Sequence, residues 1–414
     1  MDFLRRLLGQ RRINLYHLVA AIAANLIYGF PSRKLKVIGV TGTDGKTTTV
    51  NLIASVLKQG GKKVSFLSSI NAQIGEQTFD TGLHTTTPSS FLLQKLLAKM
   101  VRAGSDFAVL EVTSHALDQH RVWGIDFQTA VLTNITPEHL DYHKTFEEYS
   151  ATKMKLFKNV EYGVVNNDFL GSKQRFTTYG LDSKAQIWAD EITEDLQSTN
   201  FSVNILNSKF KIHLQLPGKF NVLNALAAIS VGQIYKIPKE DMISGLLAVK
   251  SIPGRMEYIE EGQDFLAMVD FAHTPNALKN LLSFVRAKIA GKIVLVFGSA
   301  GERDAQKRPE MGKVAAEFAD MIVITREDNR SEKVEKISEQ IISGMGQKIR
   351  DRDYFVIPDR REALRFALQK ARKSDIVVIT GKGHEQSLNI DGQETPWDDR
   401  RVMREELRTL RSTN

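Results

Sequence analysis

The sequence contains no cysteine among its 414 residues. This absence excludes disulfide bonds, metal sites built from thiolates and a cysteine nucleophile, and it is compatible with a cytoplasmic protein. Internal repeats and low-complexity segments are also lacking, so neither disorder nor a repeat architecture is indicated. With 42% hydrophobic and 25% charged residues, the composition is that of an ordinary globular protein. The length predicts two or three domains.

A long basic tract is lacking too, although the formal net charge is +8. Lys and Arg are distributed among Asp and Glu, and no motif that reads nucleic acid is present. We therefore expect no nucleic-acid partner. An anionic small substrate accounts for the same positive balance.

The first thirty residues combine basic and apolar character. Arginines lie at positions 5, 6, 11 and 12, and an uncharged segment, residues 13–30, follows them. Apolar side chains recur there at helical spacing, at Leu15, Leu18, Val19, Ile22 and Leu26. This spacing predicts a helix whose apolar face packs on the body of the protein. The alternative is a helix that makes a peripheral contact with a membrane surface.

From residue 35 onward, short apolar runs alternate with helical stretches, a pattern typical of parallel sheets with crossover helices. Strands are predicted at residues 36–40, 64–67, 107–112 and 130–133, and residues 177–216 form a β-rich extension. A second α/β set follows, with strands at 265–270, 293–297, 321–325 and 375–380. A break near Lys250 precedes Pro253 and Gly254. The predicted divisions are a helical segment (1–34), a central domain (35–250) and a C-terminal domain (251–414).

Residues 40–48 read Val-Thr-Gly-Thr-Asp-Gly-Lys-Thr-Thr between a predicted strand and a predicted helix. In that context glycines let backbone N–H groups turn toward phosphates, and the helix N-terminus adds partial positive charge. The predicted ATP-binding residues are Gly42, Thr43, Asp44, Gly45, Lys46, Thr47 and Thr48. Lys46 would contact the terminal phosphates, and the Thr47 hydroxyl would reach Mg²⁺. One departure from the general pattern is Val40, where its first glycine would fall.

Glu111 ends the apolar run that starts at Phe107. It is therefore expected at the carboxyl edge of a central strand, where ligands bind in open α/β sheets. A carboxylate there suits Mg²⁺, although a structural ion pair is the alternative. A phosphate loop alone does not identify a reaction, because switches, motors and ligases share it.

Further motifs run collinearly from about Tyr28 to the C-terminus. They read EVTSH at 111–115, QHRV at 119–122, TN at 133–134, EHLDYH at 138–143, LPGKFNVLNALAA at 216–228, PGRME at 253–257, VDFAHTP at 269–275, ERD at 302–304, GKGHE at 381–385 and DDR at 398–400. Together they closely resemble the Mur ligase family, and most of all its branch of UDP-N-acetylmuramoyl-tripeptide synthetases.

The resemblance implies a fold and a reaction. The fold would be α/β, with a central ATPase-type domain around a parallel sheet and a C-terminal Rossmann-like domain. The reaction would be ATP-dependent amide bond formation in peptidoglycan synthesis. Through an acyl phosphate, a diamino acid such as meso-diaminopimelate or lysine would be added to UDP-N-acetylmuramoyl-L-alanyl-D-glutamate.

The resemblance also assigns catalytic and nucleotide-binding roles. The catalytic residues would be Lys46, Glu111, His139 and Lys153. Together with Thr47, the last three would hold Mg²⁺, with two ions expected and with Lys153 carbamylated by CO₂. A plain ammonium beside two Mg²⁺ ions would be repelled, and an unmodified Lys153 is expected on the surface of an amphipathic helix. Further nucleotide contacts would come from Asn224, Arg255 and Asp270.

The resemblance also implies two sets of residues that contact the substrates. The muramoyl-peptide acceptor would contact Thr85, Thr86, Thr87, Pro88, Thr113, Gln119 and Arg121. The incoming amino acid would contact Arg303, Glu327, Asp328, Asn329, Arg330, Gly381 and Glu385. An arginine suits the acceptor because its planar fork binds carboxylate or phosphate through two hydrogen bonds.

The sequence departs from the family pattern in three places. Glu138 replaces the aspartate that usually precedes the metal-binding histidine. Residues 327–330 read Glu-Asp-Asn-Arg where meso-diaminopimelate enzymes have Asp-Asn-Pro-Arg, which leaves the amino acid open. About thirty-five residues precede the first predicted strand, too few for the family's UDP-binding domain. We therefore expect the other two domains alone, a partner subunit or a membrane to hold the acceptor.

Two alternative functions remain. One is a sister ligase of the folylpolyglutamate or poly-amino-acid type, against which the acceptor residues argue. The other is a nucleotide-binding scaffold without catalysis, which predicts that catalytic residues are missing. Lys46, Glu111, His139 and Lys153 are all present, which argues against a scaffold.

Overall fold

The computed structural model describes residues 2–82, 86–169, 176–206 and 208–413. The chain divides into two compact units. The first comprises residues up to Pro137 together with Thr145–Lys250, and the second comprises Glu138–Lys144 together with Ser251–Asn414.

The helices alternate with the strands along much of the chain. In chain order they are α1 (Asp2–Tyr28), α2 (Lys46–Gln59), α3 (Ser90–Arg102), α4 (Ser114–Asp118), α5 (Leu140–His143), α6 (Phe146–Met154), α7 (Lys219–Ile234), α8 (Lys239–Leu247), α9 (Pro275–Lys288), α10 (Lys307–Phe318), α11 (Val334–Ile342), α12 (Arg360–Lys370) and α13 (Asp399–Thr413). Short 3₁₀ turns lie at Pro31–Lys34 and Lys155–Phe157.

The strands of the first unit are β1 (Lys36–Thr41), β2 (Val64–Leu67), β3 (Ala72–Ile74), β4 (Gln77–Phe79), β5 (Phe107–Glu111), β6 (Phe127–Leu132), β7 (Tyr162–Asn166), β8 (Thr177–Gly180), β9 (Ile187–Glu194), β10 (Thr199–Ile205) and β11 (Ser208–Leu214). The strands of the second unit are β12 (Glu257–Tyr258), β13 (Leu266–Val269), β14 (Ile293–Phe297), β15 (Met321–Ile324), β16 (Tyr354–Val356), β17 (Ile376–Ile379), β18 (Ser387–Ile390) and β19 (Gln393–Pro396).

The described strands of the first unit form one sheet in the order β11-β10-β9-β8-β7-β6-β1-β5-β2-β3-β4. Neighbours from β9 to β2 pair in parallel, and the pairs at both ends are antiparallel. Strand β5 is buried along its whole length, because helices cover both faces of such a sheet. For the same reason its sequence is a continuous apolar run. The α/β prediction is confirmed for this unit.

The main sheet of the second unit has the order β12-β13-β17-β14-β15-β16. All its pairs are parallel except the edge pair β12 and β13. Strands β14 and β17 are fully buried, and α12 and α13 contribute Leu364, Val402 and Leu407 to the same apolar cluster. This second parallel sheet confirms the predicted C-terminal α/β domain.

Helix α1 forms as predicted, but its predicted packing is wrong. Leu15, Val19 and Leu26 are 60%, 59% and 66% exposed, whereas Ala21 and Ala24 are fully buried. Small alanine side chains let α1 approach α3 closely, so the helix packs through its small residues. In the part of the chain that the structure describes, no helix is long and apolar enough to span a membrane.

Candidate active site

The phosphate loop connects β1 to α2 at the carboxyl edge of the first sheet. Gly45 adopts a left-handed backbone conformation with φ of 79°, and a Cβ added there would lie 2.4 Å from the Asn224 Oδ1 atom. Only glycine meets both conditions. Asn224, predicted at the nucleotide, thus lies against this turn and accepts a hydrogen bond from the Thr49 hydroxyl at 3.2 Å. Val40, the departure from the loop pattern, is a fully buried residue of β1.

The residues that follow β6 hold the loop in place. The Thr43 N–H donates to the Asn134 carbonyl at 3.0 Å, and the Asp44 N–H donates to Asn134 Oδ1 at 2.9 Å. The Thr133 hydroxyl donates to the Asp44 carbonyl at 2.7 Å. The loop is therefore shaped by the protein itself. Asn134 belongs to the motif TN at 133–134, but its role in shaping the loop was not predicted from the sequence.

Lys46 and Thr48 occupy the first turn of α2. The Lys46 Nζ donates to the Thr43 carbonyl at 2.7 Å, so the ammonium group curls back over the loop. Thr48 is buried. A phosphate bound by the loop would offer the Lys46 ammonium a charged acceptor in place of this carbonyl.

Glu111 and Thr47 lie together at the edge of the sheet. The parallel register pairs Val40 with Glu111, so the carboxylate emerges beside the phosphate loop. The Thr47 hydroxyl donates to Glu111 Oε2 at 2.9 Å. Ser69, which follows β2, donates to the same carboxylate from its N–H at 2.8 Å and from its hydroxyl at 2.9 Å. Ser69 was not predicted from the sequence, although its position two residues after a predicted strand was an available signal.

This group of oxygen atoms fits Mg²⁺. Among the described residues, no cluster of three or more His, Asp or Glu side chains could hold a metal ion by itself. Mg²⁺ is commonly bound by one or two carboxylates together with phosphates of the substrate. The Glu111 carboxylate and the Thr47 hydroxyl beside a phosphate loop match that type of site.

Lys153 is buried at 2% exposure, so the expectation that the unmodified side chain lies at the surface is wrong. Its Nζ donates to the Gly42 carbonyl at 2.6 Å and lies 4.4 Å from the centre of the Tyr149 ring. The carbonyl thus satisfies a buried N–H donor of this nitrogen. Tyr149 also shares a hydrogen bond of 3.0 Å with the Thr43 hydroxyl. Lys153 and Tyr149 therefore both touch the phosphate loop.

The described residues that are predicted to contact the acceptor form a connected group, here named the acceptor group. The Thr87 hydroxyl donates to the Glu111 carbonyl at 3.0 Å and accepts from the Thr113 N–H at 3.1 Å. Arg121 donates from Nη1 to the Thr87 carbonyl at 2.9 Å and from Nε to Gln119 Oε1 at 2.8 Å. This group thus lies next to Glu111, at the carboxyl edge of the first sheet.

The remaining acceptor residues flank that group. Thr86 Oγ1 lies 3.2 Å from the Ser69 hydroxyl oxygen, and Pro88 is buried. Thr85 lies outside the described residues.

In the second unit, the predicted residues follow the carboxyl ends of parallel strands. Asp270 follows β13, Arg303 lies in the loop after β14, and Glu327 and Gly381 lie in the loops after β15 and β17. Parallel strands end at one edge of the sheet, so these loops share that edge. Arg303 is exposed there.

A buried ion-pair network supports the loops that are predicted to contact the amino acid. The Lys382 Nζ contacts Asp328 Oδ1 at 2.7 Å and also pairs with Glu385. Burial acts to lower the pKa of Lys382, but the two carboxylates outweigh it and the pKa is raised. A Cβ on Gly381 would lie 2.5 Å from Glu327 Oε2, so glycine permits this close approach. Glu327 and Asp328 are buried, which makes both of them part of the framework of this edge.

Asn329 and Arg330 close the loop after β15. Asn329 Nδ2 donates to the Glu332 carbonyl at 3.1 Å, and Asn329 is buried. The Arg330 N–H donates to the Asn389 carbonyl at 3.1 Å, and its guanidinium donates to the Gly301 carbonyl. Arg330 thus ties its own loop to the loop after β14.

Arg255 and Asp270 adjoin the same strand ends. Asp270 accepts hydrogen bonds from the N–H groups of Met256 at 2.8 Å and Ala272 at 2.6 Å. Burial raises the pKa of Asp270, although Arg255 acts against this shift. The Arg255 guanidinium stacks on Phe271 at 4.2 Å from the ring centre.

His139 belongs to the segment that groups with the second unit. Its Nε2 lies 3.7 Å from Glu138 Oε2, and Glu138 Oε1 lies 3.4 Å from His273 Nε2 and 3.6 Å from Lys307 Nζ. Burial acts to raise the pKa of Glu138, but His139, His273 and Lys307 hold it well below its usual value. The Glu138 carboxylate is thus ionised and surrounded by basic groups. These contacts of Glu138 were not predicted from the sequence.

Comparisons with known proteins identify the family of this chain. The Mur ligase middle domain matches residues 40–232, and the Mur ligase glutamate ligase domain matches residues 254–383. A UDP-N-acetylmuramoyl-L-alanyl-D-glutamate--2,6-diaminopimelate ligase from Caldanaerobacter subterraneus subsp. tengcongensis is 41% identical over 94% of this chain and 81% of its own length.

Solved structures show the same similarity. One bearing that ligase name has a TM-score of 0.61 and 31% identity, covering 91% of this chain and 79% of its own. The folylpolyglutamate synthase of Mycobacterium tuberculosis has a TM-score of 0.73 and 17% identity, covering 95% of each chain. At that identity, the second likeness shows a shared fold alone.

Proposed function

Because the chain belongs to the Mur ligase family, we propose that it joins 2,6-diaminopimelate to UDP-N-acetylmuramoyl-L-alanyl-D-glutamate. It is an ATP-dependent acid–amino-acid ligase of peptidoglycan synthesis, working in the cytoplasm, where ATP is supplied. The observation that carries the proposal is the position of Glu111: its carboxylate accepts from the Thr47 hydroxyl beside the phosphate loop, and its backbone carbonyl accepts from the hydroxyl of Thr87, a predicted acceptor residue. The names of the relatives favour a muramoyl acceptor over a folate.

The reaction has two steps. An oxygen of the acceptor carboxylate attacks the γ-phosphorus of ATP, and the bond to the bridging oxygen breaks to release ADP. The amino nitrogen then attacks the acyl phosphate carbon, phosphate leaves, and the nitrogen loses a proton. Lys46 neutralises charge on the transferring phosphoryl group, and Arg121 orients the acceptor carboxylate.

Magnesium would be held by Thr47, Glu111 and His139 together with the nucleotide. When bound, Mg²⁺ neutralises charge on the phosphates. We propose two ions, because the family resemblance implies a pair. Lys153 would contribute as a carbamate, formed when its amine adds CO₂ and loses a proton. The buried position of its Nζ at the Gly42 carbonyl supports this assignment.

An assay of ADP formation tests the proposed reaction. We expect full turnover when UDP-N-acetylmuramoyl-L-alanyl-D-glutamate and 2,6-diaminopimelate are both present, and none when either is left out. Turnover should be much lower when lysine replaces 2,6-diaminopimelate. The family's proline is missing from residues 327–330, so lysine, ornithine and glutamate belong in the panel. Turnover with glutamate and a folate acceptor, without activity on the muramoyl acceptor, would show a sister ligase instead.

Substitution Lys153→Ala tests the carbamate. It should abolish turnover, and a short carboxylate such as acetate should restore part of it by supplying the missing oxygen ligand. Lys155→Ala is the matched control, because that lysine lies two residues further on and is 41% exposed. Full turnover of Lys153→Ala without added carboxylate contradicts the assignment.

A further inference from the structure

Helix α1 presents a row of exposed apolar side chains, here named the α1 stripe. Its members are Leu15, Tyr16, Val19, Ile22, Leu26 and Ile27, each at least 36% exposed. Positions 15, 19, 22 and 26 are spaced by four, three and four residues, so they share one face of the helix. At 1.5 Å per residue, the stripe extends over about 18 Å. Contiguous apolar surface of this kind marks an interaction site.

The opposite side of α1 is fixed to the first unit. Asn25 is fully buried and donates through Nδ2 to the Trp123 carbonyl at 2.8 Å. Asn14 donates to Asp118 Oδ2 at 3.0 Å. Ala21 and Ala24 are buried on the same side. The stripe is therefore a face of an anchored helix, and the buried contacts hold it in a constant orientation.

The charge of this region identifies the surface that would cover the stripe. Residues 3–43 contain seven Lys and Arg residues and no Asp or Glu. Arg12 is exposed and lies three residues before Leu15, so it extends the same face. Two copies of α1 packed in parallel would bring their arginines, at positions 5, 6, 11 and 12, together. An anionic lipid surface complements both the cations and the apolar row.

We propose that α1 docks on the surface of an anionic lipid bilayer, with the α1 stripe buried in the headgroup region. Because one side of α1 is held against the first unit along its length, α1 would lie in the plane of the interface. Asn14 bonds Asp118, the residue before Gln119 in the acceptor group, so docking brings that group near the lipid surface. This last consequence rests on the proposed function, whereas the docking itself does not.

Vesicle co-sedimentation of the full chain tests the docking. We expect binding to vesicles of phosphatidylglycerol with phosphatidylcholine, and little binding to pure phosphatidylcholine. The double variant V19E/L26E should weaken binding by about tenfold or more, because both side chains leave the apolar interface. Arg12→Gln should weaken it by about fivefold, and added salt should weaken it further. Ile349→Glu is the matched control, since Ile349 is 48% exposed in the second unit.

Three results would overturn the docking. They are absence of wild-type binding to the anionic vesicles, unchanged binding of V19E/L26E, and equal binding to the neutral vesicles. Sedimentation velocity, which measures the oligomeric state, provides a further test. A wild-type dimer that V19E/L26E converts to monomer, with no change in vesicle binding, would assign the stripe to contact between copies. In buffer without vesicles, V19E/L26E should retain wild-type ligase activity, so a failure of docking is distinguishable from a failure of the proposed reaction.

Discussion

Lys46→Ala should lower the rate of ADP formation that depends on both substrates by about a thousandfold or more, because it removes a charge that stabilises the transferring phosphoryl group. The Lys46 Nζ lies over the phosphate loop, 2.7 Å from the Thr43 carbonyl. Lys153, on α6, also reaches the described loop, but its Nζ donates to the Gly42 carbonyl, so it cannot replace Lys46. Alanine is also a strong helix former, so α2 itself should persist.

A steady-state assay at saturating acceptor and amino acid measures this loss. Lys58→Ala is the matched control, because Lys58 lies in the last turn of the same helix and is exposed. It should retain wild-type turnover. Circular dichroism that is equal for both variants excludes unfolding as the cause. Turnover of Lys46→Ala within a few-fold of wild type would remove the phosphate loop from the mechanism.

The elements around the phosphate loop were predictable because several local signals agree there. An apolar run ends at the loop, glycine permits the turn at Gly45, and paired glycines follow the helix at Gly60 and Gly61. The predicted helix follows the loop directly, over Lys46–Gln59. Helix α3 begins at Ser90, where Ser89 caps it by accepting from the Leu92 N–H.

Helix α1 shows where the same signals fail. Apolar residues at helical spacing identify a helix, but they do not say which face a neighbour covers. Burial of Ala21 and Ala24 depends on the close approach of α3, which residues 90–102 supply from elsewhere in the chain. Leu15 and Val19 were therefore assigned to the wrong side.

The contacts of the site depend on pairing between distant segments. Ser69 reaches Glu111 across 42 positions, and Tyr149 reaches Thr43 across 106. Sequence alone indicated that Glu111 lies at a strand end, but the register that pairs it with Val40 comes from the folded sheet. Tertiary contacts of this kind decide which polar residues near a predicted edge meet.

The second large effect is expected at the ion pair of Arg360 and Asp399, both of which are fully buried. Arg360 donates to both Asp399 oxygens, from Nε at 2.8 Å and from Nη2 at 2.7 Å. The same guanidinium donates to the carbonyls of Thr380 at 2.8 Å and Arg326 at 3.2 Å. Arg360 therefore fixes the start of the loops that follow β15 and β17. Thr380 directly precedes Gly381, which is predicted to contact the amino acid.

Asp399→Ala should lower the free energy of unfolding of the second unit by about 3–5 kcal/mol, because it leaves a buried guanidinium without its counter-ion. A urea titration followed by tryptophan fluorescence measures this. The chain has three tryptophans, and Trp397 donates through Nε1 to Asp399 at 2.8 Å. Trp123→Phe with Trp188→Phe leaves Trp397 as the single reporter, and wild type and variant are compared in that background.

Arg408→Ala provides the control, because Arg408 lies on the same terminal helix as Asp399, is 66% exposed and pairs with Glu261. Exposed pairs of this kind contribute little, so its urea midpoint should stay near that of the parent. Asp399→Ala should also raise the KM for the amino acid more than that for ATP, since the Thr380 and Arg326 carbonyls lose a fixed donor. An unchanged midpoint for Asp399→Ala would mean that the buried pair contributes no more than a surface pair does.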